Sequence, residues 1–203
     1  LDFMRSSSYA PQTAEALIET IPISGNLDHF WKDMLELEEN GEIIKTRFGT
    51  YGLPEKMGLV VGRFQLTSKG FGFVIPDNKG ERPDVFIPPR ALGGAMNNDR
   101  VMARVESSSG GNKPEGEIIR IITHANNKIV GIFHQSGDFG FVTPDDKRIG
   151  QDIYIMKRHF GGAKTNQKVV AEITEWPVER RNAEGKIIEI LGNVGDVGLE
   201  ILS

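Results

Sequence analysis

Two hydrophobic periods divide the chain. Before residue 57 the apolar positions recur at helical spacing: Ala16, Leu17 and Ile21 share one face of a segment that Thr13 can cap. From Leu27, the residues Phe30, Trp31, Met34 and Leu35 fall at i+3, i+4, i+7 and i+8. Asn26 or Ser24 can cap that second helix and Gly41 can end it. The period then shortens to two across residues 42–48 and 50–54, on either side of Gly49, which predicts a hairpin. Helix, helix and hairpin make a small α+β winged-helix domain over residues 1–56. Beyond residue 57 the apolar runs are short, rich in Val, Ile and Phe, and separated by Gly, Pro, Asn and Asp, so they read as strands joined by turns.

Those strands come twice. Gly62-Arg63-Phe64 recurs as Gly131-Ile132-Phe133, and Phe71-Gly72-Phe73-Val74 recurs as Phe139-Gly140-Phe141-Val142. Asp84-Val85-Phe86-Ile87 matches Asp152-Ile153-Tyr154-Ile155, and Gly93-Gly94-Ala95 with Asn98 and Val101 matches Gly161-Gly162-Ala163 with Asn166 and Val169. Each unit closes on the same apolar strand, Gly116-Glu117-Ile118-Ile119 and Gly185-Lys186-Ile187-Ile188. Two domains follow, over residues 57–123 and 124–203, the second running into the start of a linker. About five strands in so short a unit must hide their edges, which a closed OB-fold barrel does; a small SH3-like barrel is the rival. The expected class is therefore mainly β: two tandem five-stranded OB barrels behind a winged-helix domain. Residues 107–113 hold nothing apolar and are expected to form a mobile loop.

Composition removes several classes of function. The 203 residues include no Cys, which excludes a disulfide scaffold, a thiolate metal site and a cysteine nucleophile. No apolar run approaches the ~20 residues that span a bilayer, and the start lacks signal-peptide order, so no membrane contact and a cytoplasmic location are expected. Net charge is −4, so any nucleic-acid site must be local. Residues 58–123 hold nine basic and seven acidic side chains, residues 124–203 ten and eleven, and residues 1–57 five and ten. On that count the first barrel is the better phosphate binder, and Asp138 is expected to repel phosphate from the second. The acidic second helix argues for a protein contact rather than groove reading.

The strongest chemical signal is Lys69-Gly70-Phe71-Gly72-Phe73-Val74. Alternation puts Phe71 and Phe73 side by side on one face, where two rings suit two stacked bases. Phe64 and Phe86 on neighbouring strands would extend this platform, with Arg63, Lys69, Arg82 and Arg90 near enough for phosphates. Phe133, Phe139, Phe141 and Tyr154 repeat the row. The alternative is that these rings fill the barrels, although Val60, Val74, Ile87, Val101, Val105 and Ile118 already supply core positions. No catalytic or metal-binding set stands out: His29, His124, His134 and His159 are scattered, and Asp145-Asp146 reads as a turn.

Residues 69–74 with Val85-Phe86-Ile87 resemble the two nucleic-acid-binding motifs of bacterial cold-shock proteins, with Arg63-Phe64 where those have Lys-Trp. Gly52-Leu53-Pro54, Asp84-Val85-Phe86-Ile87-Pro88-Pro89, Gly94-Ala95-Met96 and Gly150-Gln151-Asp152-Ile153-Tyr154-Ile155 are similar to the front half of the ribonuclease R family, over about residues 9–200. That resemblance implies a helix-turn-helix domain and two cold-shock domains that deliver single-stranded RNA to a magnesium-dependent 3′-to-5′ exonuclease domain beyond Ser203. It implies no cofactor and no catalytic residue in this chain. A freestanding cold-shock-type RNA-binding protein, and an interaction module with purely structural barrels, are the alternatives.

Overall fold

A computed structural model describes residues 1–22, 26–78, 82–106, 114–178 and 181–195. The loop expected at residues 107–113, and Ser24, lie outside the described residues. The N-terminal module holds helices α1 (Asp2–Arg5), α2 (Ala14–Thr20) and α3 (Leu27–Glu39) and strands β1 (Gln12–Thr13), β2 (Ile44–Lys45) and β3 (Thr50–Gly52), ordered β1-β3-β2. Thr13 Oγ1 accepts from the Ala16 amide at 3.3 Å, and Asn26 Oδ1 accepts from the Asp28 amide at 3.2 Å, so both expected caps form. The core gathers Met4, Leu17, Met34, Ile43, Tyr51 and Leu53. The second helix departs from its pattern: Met34 alone of its apolar residues is buried, whereas Leu27, Trp31 and Leu35 are 50%, 45% and 56% exposed. They lie four residues apart and form a stripe turned away from the small core.

The first barrel comprises β4 (Leu59–Leu66), β5 (Gly72–Pro76), β6 (Val85–Ile87), β7 (Arg100–Val105) and β8 (Gly116–Thr123), ordered β6-β5-β4-β7-β8. A parallel bridge between Phe86 and Glu115 brings its two ends together. The second barrel, β9 (Lys128–Ser136), β10 (Phe139–Pro144), β11 (Ile153–Met156), β12 (Gln167–Glu175) and β13 (Glu184–Asn193), is closed in the order β10-β11-β13-β12-β9. Inward side chains alternate with outward ones, and Phe64, Val74, Val85, Ile87 and Val101 fill the first core as Phe133, Val142, Ile153, Ile155 and Val169 fill the second.

The strand glycines explain how so large a ring fits. A Cβ at Gly72 would lie 2.3 Å from the Phe64 ring, and one at Gly140 would lie 2.4 Å from the Phe133 ring. Each core phenylalanine therefore rests on bare backbone of the neighbouring strand. The repeated asparagines have a matching role. Asn98 and Asn166 adopt φ of 71° and 68°, a left-handed conformation that Asn tolerates, and their amides donate to the carbonyls of Phe64 and Phe133 at 2.8 and 2.9 Å.

The units meet through specific contacts. Met96, from the first barrel, joins the buried cluster of the second. Asp99 is 1% exposed and accepts from the amides of Met96 (2.8 Å) and Ala125 (3.0 Å) and contacts His124 Nδ1 at 2.9 Å. The His124 ring stacks on Trp176 at 3.4 Å. On the other side, the Arg100 guanidinium donates to the Asn40 carbonyl at 2.6 Å, fastening the N-terminal module to the first barrel.

Removing a fully buried ring leaves a cavity, so Phe64→Ala should lower stability by about 3–5 kcal/mol, read from denaturant unfolding. Gly72→Ala, which forces a methyl into that ring, should cost about 1–3 kcal/mol in the same measurement. A loss below 1 kcal/mol in both would show that the ring does not organise the barrel.

Candidate nucleic-acid interface

Outward residues of β5 and β6 build the first aromatic surface. Phe73 pairs with Phe86 across the two strands, and Phe71 sits just before β5, where Thr67 Oγ1 donates to its carbonyl at 2.7 Å. The three half-buried rings form a triangle, with centroids 5.9 Å (Phe71–Phe73), 5.6 Å (Phe71–Phe86) and 5.7 Å (Phe73–Phe86) apart. Edge-on and tilted packing holds the rings against one another while part of each face meets solvent. Lys69 is exposed in the turn that leads into Phe71.

Phe64 does not belong to this surface. It lies opposite Val74, and residues directly opposite share a face, so both point into the core and Phe64 is 0% exposed. Phe133 is likewise 0% exposed and packs on Phe160 at 4.9 Å. A ring without solvent-facing area cannot stack on a base.

The expected cations separate in the same way. Arg63 lies on the outer face of β4 and donates to Asn98 Oδ1 at 3.0 Å, and Arg90 is exposed with a 3.0 Å ion pair to Glu115. Arg82 is not near the rings: its guanidinium donates to the carbonyls of Glu55 (2.9 Å) and Leu59 (3.4 Å), beside the cleft shared with the N-terminal module.

The second barrel carries two ring pairs. Phe139 and Tyr154, 41% and 36% exposed, stack at 5.7 Å, and Phe141 meets His134 at 5.3 Å. Sequence reading missed His134. The signal was present, because His134 follows the core Phe133 as Gln65 follows Phe64, and alternation turns both outward beside Phe141 and Phe73.

Lys157 and Arg158 were also missed. Pairing of Phe139 with Met156 brings the short helical turn Lys157–His159 beside the Phe139 end of the surface. Asp138, expected to repel phosphate, is instead held at 2.6 Å by Lys157 Nζ. That hydrogen bond, reinforced by the lysine's charge, keeps the exposed Asp138 carboxyl below its ordinary range. Among the described residues no three or more His, Asp or Glu side chains converge on a metal position. Asp146 caps the Lys147–Ile149 turn and Asp145 pairs with Lys168 at 3.0 Å, so that acidic pair is structural.

The sequence matches the Ribonuclease B OB domain family over residues 62–121 and the Cold shock domain family over residues 141–203. The ribonuclease R of Thermotoga maritima is 35% identical over 83% of the chain, and that of Vibrio parahaemolyticus 30% over 98%. The chain covers 23% and 24% of those proteins, about a quarter of the length of the curated relatives it matches. Among solved structures, the apo form of Mycoplasma genitalium RNase R superposes on 68% of the chain and 22% of its own length, at a TM-score of 0.60 and 19% identity. The same protein in complex with ribose-methylated single-stranded RNA gives the same values. A yeast pseudonuclease covers 73% of the chain and 24% of itself, at 0.60 and 15%.

A carboxyl whose folded pKa lies below its ordinary value stabilises its contact above the ordinary pKa and loses it as pH falls through the lowered one. NMR titration should therefore give Asp138 a midpoint below that of free aspartate, returning to the ordinary range in Lys157→Ala; identical midpoints would show that the two side chains do not meet in solution. By sequence and by fold, the chain belongs to the ribonuclease R family, of which it corresponds to the region that carries the OB and cold-shock domains.

Proposed function

We infer that the chain grips single-stranded RNA on the outer aromatic faces of its two barrels. It is read as the RNA-loading portion of a ribonuclease R-like 3′-to-5′ exoribonuclease whose catalytic domain lies outside this chain. The observation that carries this reading is the outward triangle of Phe71, Phe73 and Phe86, repeated in kind by Phe139, Phe141 and Tyr154. Stacked bases are typically worth about 1–3 kcal/mol each on such platforms, and every base has a face to stack. Lys69 and Arg63 beside the first platform, and Lys157 and Arg158 beside the second, supply charge for the backbone. Relatives about four times longer support a part of a larger enzyme over a freestanding cold-shock-type protein. We assign the magnesium of catalysis to a domain outside this chain; among the described residues no three or more His, Asp or Glu side chains form a ligand set. Among the described residues no helix is long and apolar enough to cross a membrane, and we place this activity in the cytoplasm.

The N-terminal module is read as a winged helix turned to a different use. Its exposed Leu27-Trp31-Leu35 stripe is bordered by Asp28, Glu38 and Glu39, a combination that repels phosphate and complements a protein segment with apolar side chains and a basic rim.

Fluorescence anisotropy with a labelled single-stranded RNA tests the assignment. Affinity should fall as salt rises, Phe71→Ala or Phe73→Ala should cost about 1–3 kcal/mol, and Trp31→Ala should change nothing. The RNA should keep its length with or without magnesium. Wild-type affinity in both folded phenylalanine variants would remove the platform.

A further inference from the structure

The face of the second barrel holds a concavity. It measures about 490 Å³, within the range of small-ligand sites, and Phe141 and Tyr154 contribute its aromatic surface. Strand register fixes the rest. Phe141 pairs with Tyr154, and Tyr154 pairs in parallel with Glu184, so the three stand in a row across β10, β11 and β13. Asp152 precedes Tyr154 by two residues and shares its face, and Asn182 and Arg181 complete the rim.

Comparison of the two repeats shows what is special here. Phe86 bridges Glu115 in the first barrel as Tyr154 pairs with Glu184 in the second. Glu115 is neutralised by Arg90 at 3.0 Å. The residue equivalent to Arg90 is Arg158, whose Nε instead meets His159 Nε2 at 3.3 Å. Among the described lining residues Arg181 is the one cation, and it donates to Glu175 at 2.8 Å. Among the described residues neither Glu184 nor Asp152 has an ion-pair partner.

We propose that this concavity reads a guanine base of the bound RNA, with Glu184 as the principal reader. The inference rests on the proposed RNA-binding role and adds a preference to it. Ionised carboxylates are acceptors only, so the site disfavours a phosphate and selects a planar ring by its N–H groups. Guanine carries two adjacent parallel donors, N1–H and N2–H, which match the two oxygens of one carboxylate. Its O6 lies next to them and can accept from the Asn182 amide. Adenine and cytosine offer one amino donor beside a ring acceptor, and uracil offers one N–H between two carbonyl oxygens, which a carboxylate repels. Stacking on Tyr154 or Phe141 supplies the base-independent part of the affinity. The nearby Lys157 and Arg158 suit the backbone, leaving the base to enter the acidic side.

The test compares the full 203-residue chain on a nine-nucleotide oligo-uridine, on the same oligonucleotide with one central guanosine, and with inosine in that place. Guanosine should bind about tenfold tighter than uridine, the discrimination expected of one good bidentate contact, and inosine, which lacks the N2 amine, should lose most of the gain. Glu184→Gln should remove most of the preference and leave oligo-uridine affinity equal or higher. If that variant melts early, Asn182→Ala, on an exposed side chain, should weaken the guanosine preference in its place. Equal binding of the uridine and guanosine oligonucleotides by wild type overturns the pocket while leaving the RNA platform intact. An undiminished preference in folded Glu184→Gln overturns it as well. Failure to bind any of the three removes the platform and the pocket together.

Discussion

Pressing a phenylalanine ring onto a strand glycine decides what each barrel can present to solvent. The ring of Phe64 occupies the space a side chain at Gly72 would need, and the ring of Phe133 does the same over Gly140. Any side chain on those glycines would push the ring out of the core, so the central residue of each Phe-Gly-Phe segment must be bare. Its two neighbours then face outward by alternation, and they are aromatic. Interior packing and exterior chemistry thus come from one constraint: a large ring inside demands glycine in the strand, and the strand carries its own rings on the other side.

That division also explains which parts of the interface were legible in the sequence. Repeat and alternation together place Phe71, Phe73, Phe86, Phe139, Phe141 and Tyr154 on the outer faces, where the structure has them, and both barrels and both helix caps follow from local pattern. Phe64 and Phe133 depart from the expected platform because neighbouring strands do not by themselves share a face, and both rings are buried. The register that opposes Phe64 to Val74 is a property of pairing, although the placement of Val74 in the core already implied it. Charge was less legible still. Counting cannot tell that Arg82 is spent on backbone carbonyls or that Asp138 is met by Lys157, since both depend on residues 19 or more positions apart. The apolar face of α3 shows a different limit. Helical spacing identifies an apolar face, but a module with so small a core had room for Met34 and left Trp31 and Leu35 outside.

The repeats are similar in backbone and different in electrostatics. Both use an asparagine at positive φ to return the chain to the core phenylalanine, and both place an acidic residue against the outer aromatic of the third strand. In one barrel that acid is neutralised by an arginine; in the other the equivalent arginine turns elsewhere. The two repeats share the packing rules, which tolerate little, while the outer rim, which packing does not constrain, differs between them.

The buried Asp99 carboxylate bears on how this chain comes apart. It belongs to the turn before β7, yet it holds the amide of Ala125 and the ring of His124, and that ring lies on Trp176 of the second barrel. Unfolding the first barrel would release Asp99 and withdraw Met96 from the second core, leaving an uncovered apolar site and an unstacked indole. Unfolding the second would strand the carboxylate without two of its partners. Neither barrel can melt without taxing the other, so the two repeats should lose structure as one cooperative unit, and a cut at their sequence boundary would pass through the joint that makes them one.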